Sequence, residues 1–271
     1  MSERSFAYLF TITAIGFVAQ FIDGTLGMGH GVFSATLLVA AGLAPVLVSA
    51  SVHAAEVVST LVSGIAHHSL GNVDRKLVLS LAIPGVLGGV AGALFLANVP
   101  GKVVKPWVAG ILLVMGVIII WRFLSKRGTD NPASCCNDAG TVASSPNGLS
   151  RARLALVGFI AAAFDAFGGG GWGPITTPTL LLGHNVKPHR VVGSVNFTEF
   201  FVTVAITVTF IFSVGAENFN WTIMLCMLVG GVIAAPTAAW LCKKLPHKVL
   251  GILIGVLLVL TNLRTIVLAI R

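Results

Sequence analysis

Apolar residues fall in ten runs, at about residues 6 to 22, 32 to 43, 46 to 70, 77 to 98 and 103 to 123, then 154 to 167, 174 to 184, 191 to 214, 221 to 242 and 249 to 270. Between the fifth and sixth lies a stretch, 125 to 150, that contains K-R-G-T-D-N-P and S-S-P-N-G and few apolar residues. Turn formers at that density mark a hydrated linker. The pattern predicts two groups of five helices, 1 to 124 and 151 to 271, on either side of it. A helix that crosses a bilayer needs about 20 apolar residues. The second run of each group has only 11 or 12, so each predicts a half-helix too short to cross alone.

The two groups are copies of one pattern. A shift of 142 lays Gly16, Asp23, Gly27, Gly29 and Gly31 on Gly158, Asp165, Gly169, Gly171 and Gly173. A shift of 143 lays Pro45, Ser51, Glu56 and Thr60 on Pro188, Ser194, Glu199 and Thr203, and one of 146 lays Asn72 and Gly85 on Asn218 and Gly231. Matching aspartates and glutamates carry the argument, because acids are scarce in this chain and costly in lipid. Five crossings per repeat would turn the second copy upside down relative to the first, the plan of many secondary transporters. The predicted fold is therefore an all-α polytopic membrane protein built of two inverted five-segment repeats, each with a short glycine-broken half-helix.

Composition agrees: 56% of residues are hydrophobic and 10% charged, against about a quarter charged in soluble domains. The formal net charge of +8 would suit nucleic acid if the basic residues formed one patch. They are instead scattered between apolar runs, as topology-setting loop charges are. With ten crossings they divide 12 against 5, with the linker on the richer side; were the short segments re-entrant, the division would be 10 against 7. The positive-inside rule then predicts a cytoplasmic linker and both termini outside.

Two constellations could carry chemistry. The first is the break D-G-T-L-G-M-G-H-G from Asp23 to Gly31 and its copy D-A-F-G-G-G-G-W-G-P from Asp165 to Pro174. Glycine destabilises a helix interior by about 1 kcal/mol relative to alanine, so these clusters should interrupt it. Pro174 suits the first position of the half-helix that follows. A helix N-terminus with its glycine loop presents free N–H groups and positive partial charge, which favours an anion. This nominates Gly27, Gly29, His30, Gly31, Gly169, Gly170, Gly171 and Trp172, with the hydroxyls of Ser34, Thr176 and Thr177. The alternative is that the glycines only allow close packing. Asp23 and Asp165, near the end of a helix where negative charge is unfavourable, must be compensated, by capping the loop or by coupling to protons or cations.

The second constellation is a polar stripe. Ser49, His53, Glu56, Thr60, Ser63 and His67 are spaced 4, 3, 4, 3 and 4, so they share one helix face that cannot look at lipid. Only Asn196, Glu199 and Thr203 persist in the second repeat. His53 and Asn196 are candidates to touch a substrate; Glu56 and Glu199 are candidates to carry a proton or to anchor a buried structural network. His67 and His68 are expected at a membrane edge in interfacial roles. Cys226 and Cys242 read as buried packing residues. The adjacent Cys135 and Cys136 lack the spacing of metal ligands. No metal site and no cofactor is expected. Enzyme signatures such as H-E-x-x-H, G-x-S-x-G and a P-loop are absent, which argues against catalysis.

The repeated D-x-x-x-G-x-G-x-G break, the S-V-H-A-A-E and S-V-N-F-T-E helices and the duplicated layout resemble the TauE/SafE sulfite exporter family, also called the toluene sulfonate uptake permease family. The resemblance covers nearly all of the chain outside the linker. It implies a secondary transporter, an exporter by the family's name, of a small oxyanion such as sulfite or an organosulfonate, in the cytoplasmic membrane of a prokaryote. The partners implied are the lipid bilayer and a small anionic substrate, with room for a homo-oligomer and none for nucleic acid. A proton- or cation-conducting pathway through the paired acids is the competing expectation.

Overall fold

The computed structural model describes residues 3–125, 150–183, 187–242 and 247–270; most of the polar linker, with Cys135 and Cys136, lies outside them. Among the described residues there are ten α-helices and no strand. They are α1 (Glu3–Leu26), α2 (His30–Ala40), α3 (Pro45–Ser69), α4 (Arg75–Asn98), α5 (Gly101–Ser125), α6 (Arg151–Gly168), α7 (Trp172–Gly183), α8 (Pro188–Val214), α9 (Trp221–Leu241) and α10 (His247–Ile270).

The repeat is visible in how helices begin. Pro45 and Pro188 open α3 and α8, where a missing N–H forfeits no intrahelical bond. Asp74 caps α4 by accepting from the Lys76 and Leu77 N–H groups, and Asn220, its counterpart at a shift of 146, caps α9 by accepting from the Ile223 N–H. Each cap satisfies donors that the first helical turn leaves orphaned, worth about 1 kcal/mol.

Packing pairs the helices across the repeats. α3 lies against α8 at the centre, α1 packs on α9, α6 on α4, and α5 on α10; α9 also packs on α3, and α4 on α8. Exchanging the first five helices for the second five maps this set of neighbours onto itself. Small residues set the approach: a side chain on Gly88 would run into the Phe159 backbone, and one on Gly230 into the Thr13 carbonyl. Backbones that close are the usual membrane solution, since lipid gives helices no hydrophobic reason to associate.

The outer surface is apolar. Leu79, Ile83, Trp107 and Phe212 are among the most exposed large side chains, whereas the interior holds four acids and three histidines. This inverts the arrangement of a soluble protein. Five helices (α1, α3, α4, α8 and α9) contain segments long and apolar enough to cross a membrane by length and composition. By contrast α2 and α7, with 11 and 12 residues, rise about 17 Å against a hydrocarbon core of about 30 Å.

Candidate functional site

The breaks are shorter than the sequence suggests. Each spans three residues, Gly27 to Gly29 and Gly169 to Gly171, because α1 and α6 run three residues past their aspartates. Gly27 and Gly169 have the same left-handed φ of 67°, a conformation that costs glycine nothing. Their N–H groups donate to the carbonyls of Asp23 and Asp165 at 2.7 and 2.5 Å. α7 starts at Trp172, so Pro174 is its third residue and not its first. That position still falls in the turn whose N–H groups have no intrahelical partner.

The two breaks meet at the centre. A Cβ on Gly31 would land on the Gly169 carbonyl, one on Gly173 would land on Met28, and the Thr177 hydroxyl donates to the Gly27 carbonyl. Each half-helix therefore starts on the other repeat's glycine loop. The polar stripe of α3 is aimed at the same place: Ser49, His53, Glu56, Thr60, Ser63 and His67 are all buried. No side chain nominated at the site is more than 4% exposed, so this conformation closes it to both sides of the membrane.

Asp165 is fully engaged. One oxygen accepts the Gly171 N–H at 3.0 Å, and the other lies 3.2 Å from His53 Nε2. His53 Nδ1 is 2.8 Å from the Ser49 carbonyl, which can only accept, so Nδ1 carries a hydrogen. Asp165 thus caps its own loop, one of the two compensations open from sequence. Asn196, the counterpart of His53, donates to the Asp23 carbonyl at 3.3 Å and to Val192, and accepts from Ser63 at 2.8 Å.

Three further nominated donors are already committed. Thr176 donates to the Trp172 carbonyl, Thr177 to Gly27, and the Trp172 indole to the Val195 carbonyl at 3.2 Å. In this conformation they have no hydrogen to offer an anion. The first repeat differs. Asp23 lies against the His30 backbone N–H and the Glu199 carboxyl of α8, while Ser34 Oγ and Glu56 Oε2 have no hydrogen-bond partner. His30 Nδ1 meets Gln20 Oε1 at 2.9 Å, which leaves His30 Nε2 and the Gln20 amide nitrogen unpartnered. Gln20 escaped the sequence reading, although a lone amide inside an apolar run, and the chain's only glutamine, was the signal.

Electrostatically the site is acidic. The charged groups that act on Asp23, Glu56 and Glu199 are one another and Asp165, with no arginine or lysine among them. His67 is not interfacial as expected: it is fully buried, its Nε2 donating to the Gly24 carbonyl at 3.1 Å while Asn72 donates to its Nδ1. His68 is exposed and rests on Phe197. Cys242 is buried, and Cys226 packs against the core as expected but is only half-buried. Among the described residues, no three potential ligands come together to hold a metal. A groove of roughly 600 Å³ between α5, α6 and α7, walled by Trp107, Ile111, Met115, Phe164 and Ile175, is apolar and separate from this cluster.

A buried polar cluster at paired helix breaks inside a lipid-facing bundle defines a membrane transporter, and the sequence comparisons agree. The profile of the sulfite exporter TauE/SafE family matches residues 12–265, and the chain belongs to that family. It is 42% identical over 259 residues to the Probable membrane transporter protein YtnM of Bacillus subtilis (strain 168), covering 96% of this chain and 83% of that protein. No solved structure matches.

Proposed function

We propose that the protein is a secondary transporter of a small oxyanion, a sulfonate or sulfite, across the cytoplasmic membrane. The anion would sit where the breaks cross, against the N-terminus of α2. The observation that carries this reading is the pair of buried, unpartnered donors there, the Gln20 amide nitrogen and Ser34 Oγ; His30, whose Nδ1 hydrogen goes to Gln20, donates from Nε2 only when protonated. Leaving a buried polar group unpaired costs about 1 to 3 kcal/mol, and a ligand that pairs it recovers that cost. The family's name, sulfite exporter, supports the substrate class. In the same reading the repeats are inverted, supported by the way the helix contacts map onto themselves when the halves are exchanged. The linker faces the cytoplasm, supported by the loop charges.

A thermal-shift panel on the purified chain tests this, with small sulfonates, sulfite, sulfate and carboxylates as ligands. Sulfonates or sulfite should stabilise most; stabilisation by carboxylates alone would reassign the substrate. A second reading, a proton or cation pathway, is favoured by the burial of the carboxyls of Asp23, Glu56 and Glu199 together. It predicts ion flux in vesicles with no anion present, abolished in Glu56→Gln and Glu199→Gln.

A further inference from the structure

The proposed anion site is crowded with acids. Asp23 on α1, Glu56 on α3 and Glu199 on α8 are 1%, 1% and 4% exposed and act on one another electrostatically. The fourth acid, Asp165, pairs with His53 Nε2 at 3.2 Å. His30 on α2 is hydrogen-bonded at Nδ1, and its backbone adjoins Asp23. His67 on α3 spends both ring nitrogens on Gly24 and Asn72.

Among the described residues, no fixed cation offsets them. α7 and α9 contain no charged residue. On the other packed helices Arg75, Lys76, Arg151, Arg153 and Arg264 are exposed, and Asp74 caps the far end of α4. Lys187 and Arg190 lie at the start of α8, nine or more residues before Glu199, roughly 13 Å at the helical rise. Three ionised carboxylates in a dry interior would exclude an anion outright. Yet the same cluster holds the unpartnered Gln20 amide and Ser34 hydroxyl, buried and suited to one.

Resting on the anion reading above, we infer that the anion binds and crosses together with at least one proton, carried by Asp23, Glu56, Glu199 or His30, making the protein a proton–anion symporter. Protons and anion travel the same way, so an inward proton gradient draws the anion into the cell. Each proton added to a carboxylate, or to the free nitrogen of His30, removes one unit of the negative charge that opposes the anion. The step is a simple balance: a proton enters from one side on the carboxyl or imidazole, and leaves on the other after the anion has gone.

Methanesulfonate is the probe, because it stays ionised across the range tested whereas sulfite itself titrates. Its affinity for the purified full chain should rise about tenfold per unit fall in pH for each proton bound with it. In vesicles containing a pH dye and clamped at zero potential, an inward methanesulfonate gradient should acidify the lumen. Alkalinisation means exchange and no change means uniport, and either overturns the symport. pH-independent binding overturns the coupling alone, while no binding of any anion in the panel at any pH overturns the transport reading beneath it. Asp23→Asn, Glu56→Gln and Glu199→Gln should keep low-pH binding with a shallower pH slope, while His30→Gln should make the slope shallower and weaken binding as well. A full slope in all four variants overturns the assignment to these residues.

Discussion

The two glycine breaks begin from nearly the same sequence and end in different chemical states. Around the second, Asp165 takes the Gly171 N–H and His53, Thr177 is tied to Gly27, and the Trp172 indole is tied to Val195. Around the first, Ser34, one nitrogen of His30 and the Gln20 amide are unpartnered, and Asp23 faces the Glu199 carboxyl of the other repeat in place of a histidine. The substitutions behind this contrast are few. Where the first repeat has Gln20 and His30, the second, at a shift of 142, has Ala162 and Trp172. A polar pair has been replaced by a small residue and a large apolar one that fills the space with carbon.

Duplication gives both halves the same break, and later substitution lets one half become scaffold while the other stays available. A fully satisfied polar network rigidifies its surroundings, whereas a partly satisfied one is costly unless something else completes it. α3 shows the same division: opposite Ser49, Ser63 and His67 the second repeat has Val192, Ile206 and Phe210 on α8. Polarity has been concentrated around one helix of a symmetric pair.

The largest test of this contrast lies in the glycines that close each break. A Cβ on Gly171 would overlap the Asp165 nitrogen and the Ala161 carbonyl, both backbone. Overpacking against side chains that can yield costs about 1 to 3 kcal/mol, and backbone yields less. Gly171→Ala should therefore fail to give a monodisperse peak on size-exclusion in detergent. A Cβ on Gly29 would meet only the end of Ile22, although its φ of 128° strains any other residue by about 1 to 3 kcal/mol. Gly29→Ala should still fold, with a lowered melting temperature. Equal loss of both would show that the first break is as rigid as the second.

The aspartates come next in size. Asp165→Asn breaks a buried pair and leaves His53 facing an amide, a change that costs about 3 to 5 kcal/mol when one partner of a buried pair is lost. Asp23→Asn keeps one acceptor oxygen toward the His30 N–H and Glu199 and breaks no histidine pair, so it should destabilise less than Asp165→Asn. Thermal melts of the two variants side by side measure the difference. A large loss in Asp23→Asn would mean that its neighbour Glu199 holds it in a structural bond.

Much of this was legible in the chain. The ten runs, both breaks, the buried stripe of α3 and the acids that cluster there follow from spacing and from the cost of polarity in lipid. The edges of the breaks did not. Gly24 does not end α1, because Thr25 returns its hydroxyl to the Phe21 carbonyl at 2.8 Å and Gly24 itself packs against Ala238. His67 looked like an edge residue because a turn follows it. It is buried because its ring reaches the Gly24 carbonyl of α1, 43 residues away, which local sequence does not record. The joining of His53 to Asp165 spans 112 residues and is a product of packing alone, so the asymmetry between the halves appears only once the helices are assembled.

The smallest test separates stability from binding at the matched hydroxyls. Thr177 donates to the Gly27 carbonyl deep in the protein, and Thr177→Val keeps its shape while leaving that carbonyl unpaired. The loss should be about 1 to 3 kcal/mol in stability, with affinity for the anion unchanged wherever the protein is folded. Ser34, its counterpart at a shift of 143, has no partner to lose. Ser34→Ala should leave the melting temperature of the free protein unchanged or slightly raised, since an unpaired buried hydroxyl has been removed. If Ser34 donates to the bound anion, affinity falls by about 1.5 to 3 kcal/mol, the range for a hydrogen bond to a charged group. That is a loss of roughly tenfold to a hundredfold. Measuring melting and anion titration on both variants gives four numbers in a crossed pattern. A Ser34→Ala protein that binds as tightly as the parent would move the anion away from α2, and with it the claim that the first repeat is the half kept for function.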